Sequence, residues 1–506
     1  MENNELKIKE LESKLWNAAD ELRGNVSSEE YMYIIIGILF IKQMSDVYDN
    51  AVNSLKEKHE DWEILSKDKD YLIDYNCNFI VPKKASWNHI SKFATSPEIG
   101  EVINEAFSEI EKNNDELKGM FEKDYARETL DQMKLGNLIS VFANTDLKQF
   151  GEDIIGRTYE FFLGKFFLKQ GQKGGEFYTP KSIVSLMVNL INPNNGKLYD
   201  PCCGTGGMFI QAKQHLVEQK LNADNLMIFG QENQNKTWKL ARINLLLQGF
   251  SNDNVKLGHK SADTFHNDLH NGLKVDYILA NPPFNIKKWG QEKLLDDTRW
   301  NWGIPPSGNA NYAWLSLIID KLNSEGKAAV VLANGSLTTS SKDEKKIREN
   351  LLKNNLISAI IMLPDKLFYT TGIPACIWIF NKNKKTDEVL FIDSSELGTL
   401  VEGSKKNKEF KDEVIKKITN IFQEFEKNNP INEKGFAKSV NLSRIEENDF
   451  SLLPGSYIEI KEDEKRTEEE IKKELRDNLD KFNSMLEDSK ELEEKIKLAI
   501  EKINFN

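Results

Sequence analysis

Leu198-Tyr199-Asp200-Pro201-Cys202-Cys203-Gly204-Thr205-Gly206-Gly207-Met208 is a strand that ends on a carboxylate, turns through small residues and enters a helix. Glycines and small side chains at such a turn let the backbone approach a ligand closely. In open α/β sheets the crevice at the carboxyl ends of the strands is where cofactors bind. A nicotinamide-binding turn would read GxGxxG, and Gly204-Thr205-Gly206-Gly207 does not supply it. Asp200 at the strand end is suited to holding an ammonium group, such as the one on the methionine part of S-adenosylmethionine.

Around this turn, short β-rich runs alternate with helical stretches from about residue 175 onward. The expected strands are Lys197–Asp200, Leu226–Gly230, Val275–Ala280, Ala328–Leu332, Ile357–Met362, Cys376–Phe380 and Val389–Ile392. Strands separated by helical patterns predict βαβ units and a parallel, doubly wound sheet. The second strand ends in Phe229-Gly230-Gln231-Glu232, and an acidic residue after strand two commonly accepts hydrogen bonds from both ribose hydroxyls. Glu232 is expected in that role, against the alternative of a solvated surface Glu.

Asp276-Tyr277-Ile278-Leu279-Ala280-Asn281-Pro282-Pro283-Phe284 carries the chemistry. An apolar strand stops at two prolines, which lock the turn and donate no backbone hydrogen bonds. The Asn281 amide oxygen and the Pro282 carbonyl then form a pair of acceptors, matching an exocyclic amino group with two N–H donors. Such acceptors favour a pyramidal nitrogen whose lone pair can attack a sulfonium methyl in line, with proximity and orientation doing much of the work. Phe284 offers a face for base stacking, a contact worth roughly 1–3 kcal/mol. A base inside a duplex must leave the stack to reach such a site.

Residues 1–165 read as helical. Ser27-Ser28-Glu29-Glu30 forms a capping-box pattern before an apolar run from Tyr31 to Phe40, and Gly24 is expected to stop the helix before it. The tail from about 466 reads as one long helix, with a capping box at Thr467–Glu470. An apolar stripe runs through Ile471, Leu475, Leu479, Phe482, Met485, Leu486, Leu492, Ile496 and Ile503. That stripe suits a coiled coil or docking helix, or packing on its own chain. No run of about 18 apolar residues occurs, so no membrane span is expected. The charged N-terminus lacks a signal-peptide pattern. Cys77, Cys202, Cys203 and Cys376 show neither CxxC pairing nor zinc spacing, so no metal site and a reducing, cytoplasmic setting are expected. The net charge of −12 is awkward for a protein that grips DNA unaided, because nonspecific affinity comes from Lys and Arg neutralising phosphates. A partner is expected to supply much of that grip.

Together these motifs resemble the amino-methyltransferases of DNA whose cofactor motif precedes the catalytic one, with Asn-Pro-Pro-Phe typical of N6-adenine enzymes. The match is closer still to the modification subunits of type I restriction–modification systems. It runs through Leu15–Gly24, Trp300–Pro306, Asn309–Trp314, Leu363-Pro364, Phe368, Thr371–Pro374 and Asn448–Tyr457, while Gly174–Lys181 resembles the segment that in the broader group closes over the methionine end of the cofactor. Cys202-Cys203 departs from the pattern, where small Ala-like residues are commoner.

The resemblance implies a Rossmann-like S-adenosylmethionine-dependent methyltransferase sheet with an N-terminal helical domain and a C-terminal long helix. The expected divisions are 1–165 helical, 166–400 catalytic, 401–465 a mixed connecting region and 466–506 a docking tail. By the same resemblance Glu176, Phe177, Tyr178, Thr179, Pro180, Lys181, Thr205, Gly206, Gly207 and Glu232 contact the cofactor, and Asp263 sits beside its adenine. Asn281, Pro282 and Phe284 are the expected catalytic set. The implied partners are double-stranded DNA, one specificity subunit shared by two modification subunits, and a restriction subunit that can join them. Competing expectations are a methyltransferase acting on RNA, protein glutamine or cytosine N4, and a noncatalytic DNA-binding scaffold.

Overall fold

The computed structural model describes residues 2–22, 28–75, 77–143, 158, 161–162, 179–248, 250, 255–257, 263–339, 341–368, 373–401 and 407–460. Of the tail it describes 472, 475–480, 482–483, 485–487, 489 and 492–493. Glu176, Phe177, Tyr178, Gly24 and both halves of the Thr467–Glu470 capping box lie outside the described residues, as does Ser27.

The amino-terminal part is helical: α1 (Glu2–Glu21), α2 (Ser28–Lys58), α3 (Ile99–Asn113) and α4 (Gln132–Ala143) are its long helices, with helices of three to five residues in the segments between α2 and α4. Almost every residue of α2 from Tyr31 to Met44 is buried, so this helix is the axis of its own core rather than a surface element. In α3, Ile99, Ile103, Ala106, Phe107 and Ile110 recur at three- and four-residue intervals and face it.

The part that follows is built on a ten-stranded sheet. Its strands are β1 (Gly196–Asp200), β2 (Leu226–Gly230), β3 (Val255–Leu257), β4 (Val275–Ala280), β5 (Leu322–Ala333), β6 (Ile357–Met362), β7 (Ala375–Asn381) and β8 (Val389–Asp393), a small separate pair β9 (Thr399–Leu400) and β10 (Lys408–Glu409) following, then β11 (Asn432–Glu433) and β12 (Ala437–Val440). The order is β11-β12-β8-β6-β7-β5-β4-β1-β2-β3. All seven sequence-expected strands are present. The sheet is mixed rather than wholly parallel, because β7 runs antiparallel between β5 and β6. Its connection from β6 spans only about a dozen residues, with no crossover helix among the described ones, so the chain returns beside its neighbour in the opposite sense. The connecting region 401–465 contributes β11 and β12 to the same sheet, where β12 pairs with β8.

Alternation of side chains along a strand explains the layering. In β5, Ala329, Val331 and Ala333 join one core while Ala328, Val330 and Leu332 join the other. In β7, Ile377 and Ile379 go to the first and Cys376, Trp378 and Phe380 to the second. Helices α5 (Lys181–Ile191), α6 (Gly207–Glu218) and α10 (Asp412–Glu426) cover the first face. Helices α8 (Asn311–Lys321) and α9 (Lys342–Lys353) cover the second. A strand buried on both faces must be apolar at consecutive positions, which is why these runs read as continuous rather than alternating.

One further helix, α7 (Asn235–Leu247), follows β2 and ties the two parts together. Its Leu240 and Ile243 are buried in the amino-terminal core, and Lys239 lies 3.6 Å from Glu122. No helix among the described residues is long and apolar enough to cross a membrane.

Candidate active site

Asp200, Glu232 and Asn281 stand at or just beyond the carboxyl ends of β1, β2 and β4, which are hydrogen-bonded neighbours in the sheet. Pairing of Asp200 with Gly230 and of Tyr199 with Ile278 places these ends side by side.

The turn after β1 depends on backbone that L side chains rarely adopt. Gly204 has φ +53 and Gly206 φ +80, and Gly206 directly precedes α6. Asp200 is 2 % exposed and accepts from the Cys202 N–H at 3.0 Å. Burial pushes its carboxyl up to about 7, and the neighbouring Glu232 charge adds to the rise. Glu232 accepts from Gly204 N–H at 3.0 Å and from Gln234 N–H at 2.8 Å. Burial raises its pKa as well, and those backbone donors partly offset the rise. Each carboxylate oxygen keeps a further lone pair for a hydroxyl or ammonium donor. Two buried carboxylates around a glycine turn therefore fit a ligand that brings hydroxyls and positive charge. Cys202 and Cys203 fit beside them as thiols, their pKa values pushed well above normal by burial.

Sequence reasoning missed what holds this turn. Asn244, 1 % exposed on α7, donates to the Thr205 carbonyl at 2.9 Å. Thr264 Oγ1 donates to the Pro201 carbonyl at 2.6 Å. The signal for Asn244 was a lone amide within the apolar run Ile243–Leu247 of α7.

Asp263 is exposed. Its carboxylate accepts from the Phe265 N–H at 2.9 Å and lies 2.7 Å from His266 Nδ1, so it shapes its own turn in this structure. Among the upstream residues expected at the cofactor, Thr179, Pro180 and Lys181 are described. Pro180 is buried at the start of α5, and Thr179 accepts from Asn281 Nδ2 at 2.8 Å.

The loop after β4 is braced from a distance. Asn285, with φ +56, follows Phe284 and receives three asparagine contacts. Asn311 Oδ1 accepts from its N–H at 3.0 Å, while Asn309 and Asn311 amides donate to its Oδ1 at 3.1 and 2.9 Å. Trp289 Nε1 donates to the Pro306 carbonyl and Trp300 Nε1 to the Leu294 carbonyl. Arg299 grips both Asp297 oxygens and donates to the Thr264 and Phe265 carbonyls. This ties the loop to the Asp263 turn. Phe284 is 9 % exposed, with its ring set edge-on to Phe368 at 6.0 Å. Among the described residues no cluster of three or more His, Cys, Asp or Glu could hold a metal ion.

Residues 150–466 match the model of the N-6 DNA methylase family, and residues 11–142 match that of the HsdM N-terminal domain. The MjaIX methylase subunit, from a type I restriction enzyme of Methanocaldococcus jannaschii, is 32 % identical, covering 98 % of this chain and 92 % of the relative. The HindI methylase subunit, from a type I restriction enzyme of Haemophilus influenzae, is 38 % identical over 72 % of this chain and 84 % of its own length. The crystal structure of a type I restriction–modification methyltransferase subunit from Streptococcus thermophilus superposes with a TM-score of 0.76 at 25 % identity, over 89 % of this chain and all of that one.

Proposed function

The chain belongs to the N-6 DNA methylase family, as an adenine-N6 DNA methyltransferase of the type I modification-subunit kind, and from that premise we propose how its residues divide the work. The observation that carries the reading is the juxtaposition of Asn281-Pro282-Pro283-Phe284, at the end of β4, with the carboxylate-lined glycine turn at the end of β1. S-adenosylmethionine supplies the electrophilic methyl group when bound.

Asp200 holds the ammonium of the methionine moiety and Glu232 the ribose hydroxyls. Thr205, Gly206 and Gly207 let the backbone come close, and Asp263 sits toward the cofactor's adenine. Asn281 Oδ1 and the Pro282 carbonyl accept the two N–H bonds of the target amino group and aim the nitrogen lone pair. Orientation of this kind turns a bimolecular encounter into an effectively unimolecular step. The target adenine leaves the duplex stack to reach them, and Phe284 borders it there.

The assembly reading is that a specificity subunit, shared by two copies of this chain, supplies target choice and much of the DNA grip. The net charge of −12 supports this. So does the tail, where Leu475, Leu479, Phe482 and Met485 are each more than half exposed on helical backbone. Soluble apolar patches of this kind commonly mark contact surfaces. The protein co-expressed with its specificity subunit should methylate unmodified genomic DNA. Nucleoside digestion followed by mass spectrometry is expected to show N6-methyladenine, and N4-methylcytosine instead would overturn the assignment of the target.

A further inference from the structure

Thr179 lies in the upstream segment expected at the cofactor, yet its hydroxyl meets the catalytic loop. Asn281 Nδ2 donates to Thr179 Oγ1 at 2.8 Å across 102 positions of sequence. Three restraints fix that hydroxyl. Thr179 precedes Pro180, whose ring excludes helical backbone at the residue before it. Its β-branched side chain is stiff about χ1. Helix α5, which begins at the next residue, is sunk into the core through Ile183 and Met187, and Leu279 of β4 belongs to the same core. Donor and acceptor thus hang from two elements that cannot easily shift against each other.

A carboxamide has a donor end and an acceptor end of nearly equal size, so packing alone does not choose between its two orientations. The choice decides the chemistry. Facing a target amino group, the oxygen accepts a hydrogen bond, whereas the NH2 group would set donor against donor. A threonine hydroxyl can accept from Nδ2 or donate to Oδ1, so it anchors the amide; in the orientation of this structure it accepts from Nδ2, which places Oδ1 on the other side. We infer that Thr179 is a positioning residue, whose hydroxyl fixes the Asn281 carboxamide with its oxygen directed at the target amino group. The inference rests on the reading of Asn281 as an acceptor for that group.

The test compares Thr179→Val, Thr179→Ala, Thr179→Ser and Asn281→Ala in the full-length chain assembled with its specificity subunit. The measurements are single-turnover transfer of labelled methyl to unmethylated genomic DNA, cofactor binding by calorimetry, and thermal midpoint. Removing the hydroxyl in Val or Ala should slow transfer about ten- to a hundredfold at saturating cofactor and DNA, as for a misdirected buried hydrogen bond. Cofactor affinity and thermal midpoint should stay near wild type, and Ser, which keeps the oxygen, should regain most of the rate. Val and Ala variants that both transfer at the wild-type rate while Asn281→Ala does not would overturn this inference alone. A deficit that vanishes on raising the cofactor concentration would overturn it too, assigning the hydroxyl to the cofactor. Normal transfer by Asn281→Ala would remove the underlying reading of the site.

Discussion

The loops that leave β1 and β4 lie side by side, but they present different groups to the crevice. The β1 turn is short and shaped by its backbone, with two positive-φ glycines and N–H groups pointing into the Asp200 and Glu232 carboxylates, while Asn244 and Thr264 side chains hold its carbonyls. Its chemistry is electrostatic, since burial of those carboxylates makes a cationic, hydroxyl-bearing ligand welcome. The β4 loop is long, and side chains from far along the sequence brace it: Thr179 behind Asn281, and the amides of Asn309 and Asn311 behind Asn285. Its chemistry is positional. On the proposed division of roles, binding and transfer should be separable by mutation, although the residues are close together.

The largest expected effect is on the positional side. Asn281→Ala should lower methyl transfer about 100- to 1,000-fold, the scale seen when one preorganised hydrogen-bonding group is removed from a reacting centre. Its cofactor affinity, read by calorimetry, should remain near wild type. Next is Glu232→Ala on the electrostatic side. A hydrogen bond to a charged group contributes about 1.5–3 kcal/mol, so the cofactor dissociation constant should rise roughly 10- to 150-fold. An unchanged constant would leave Glu232 with only its backbone contacts.

A smaller effect sharpens the comparison through pH. Asp200 is raised to about 7 by burial, and a bound cation favours its ionised form. Cofactor affinity should therefore increase as pH rises through about 7, by at most about tenfold per pH unit for one proton. The free protein runs the other way: a raised carboxyl contributes its full stability below its ordinary value, and that contribution is lost as pH rises through about 7. The gain in thermal midpoint on adding S-adenosylmethionine should thus be larger at pH 8 than at pH 6, and Asp200→Asn should flatten the difference. Transfer at saturating cofactor through the β4 loop carries no such dependence from Asp200.

The same contrast explains how much could be read from sequence. Seven strands were legible because each is an apolar run bounded by turn residues, and β2, β4 and β6 begin and end where the pattern placed them. The three-residue β3 and the two-residue β11 are too short to carry a period. The antiparallel sense of β7 follows from a short connection rather than from its own residues. At the site, the β1 turn was legible because glycine and a terminal carboxylate are local signals. The side-chain braces behind both loops were not. Asn309 and Asn311 were visible only as part of a family pattern, and their purpose, holding a residue 24 and 26 positions away, emerges in three dimensions. The tie between Thr179 and Asn281 is invisible in the sequence for the same reason, since 102 positions separate the two residues.

The division of labour between the two loops is tested most directly by one measurement: single-turnover transfer as a function of S-adenosylmethionine concentration, for Glu232→Ala and Asn281→Ala beside the wild-type complex. The account predicts that Glu232→Ala climbs to nearly the wild-type rate once cofactor saturates, and that Asn281→Ala saturates at the wild-type concentration but stays slow. Recovery of Asn281→Ala at high cofactor, or a Glu232→Ala rate that stays low at saturation, would contradict it.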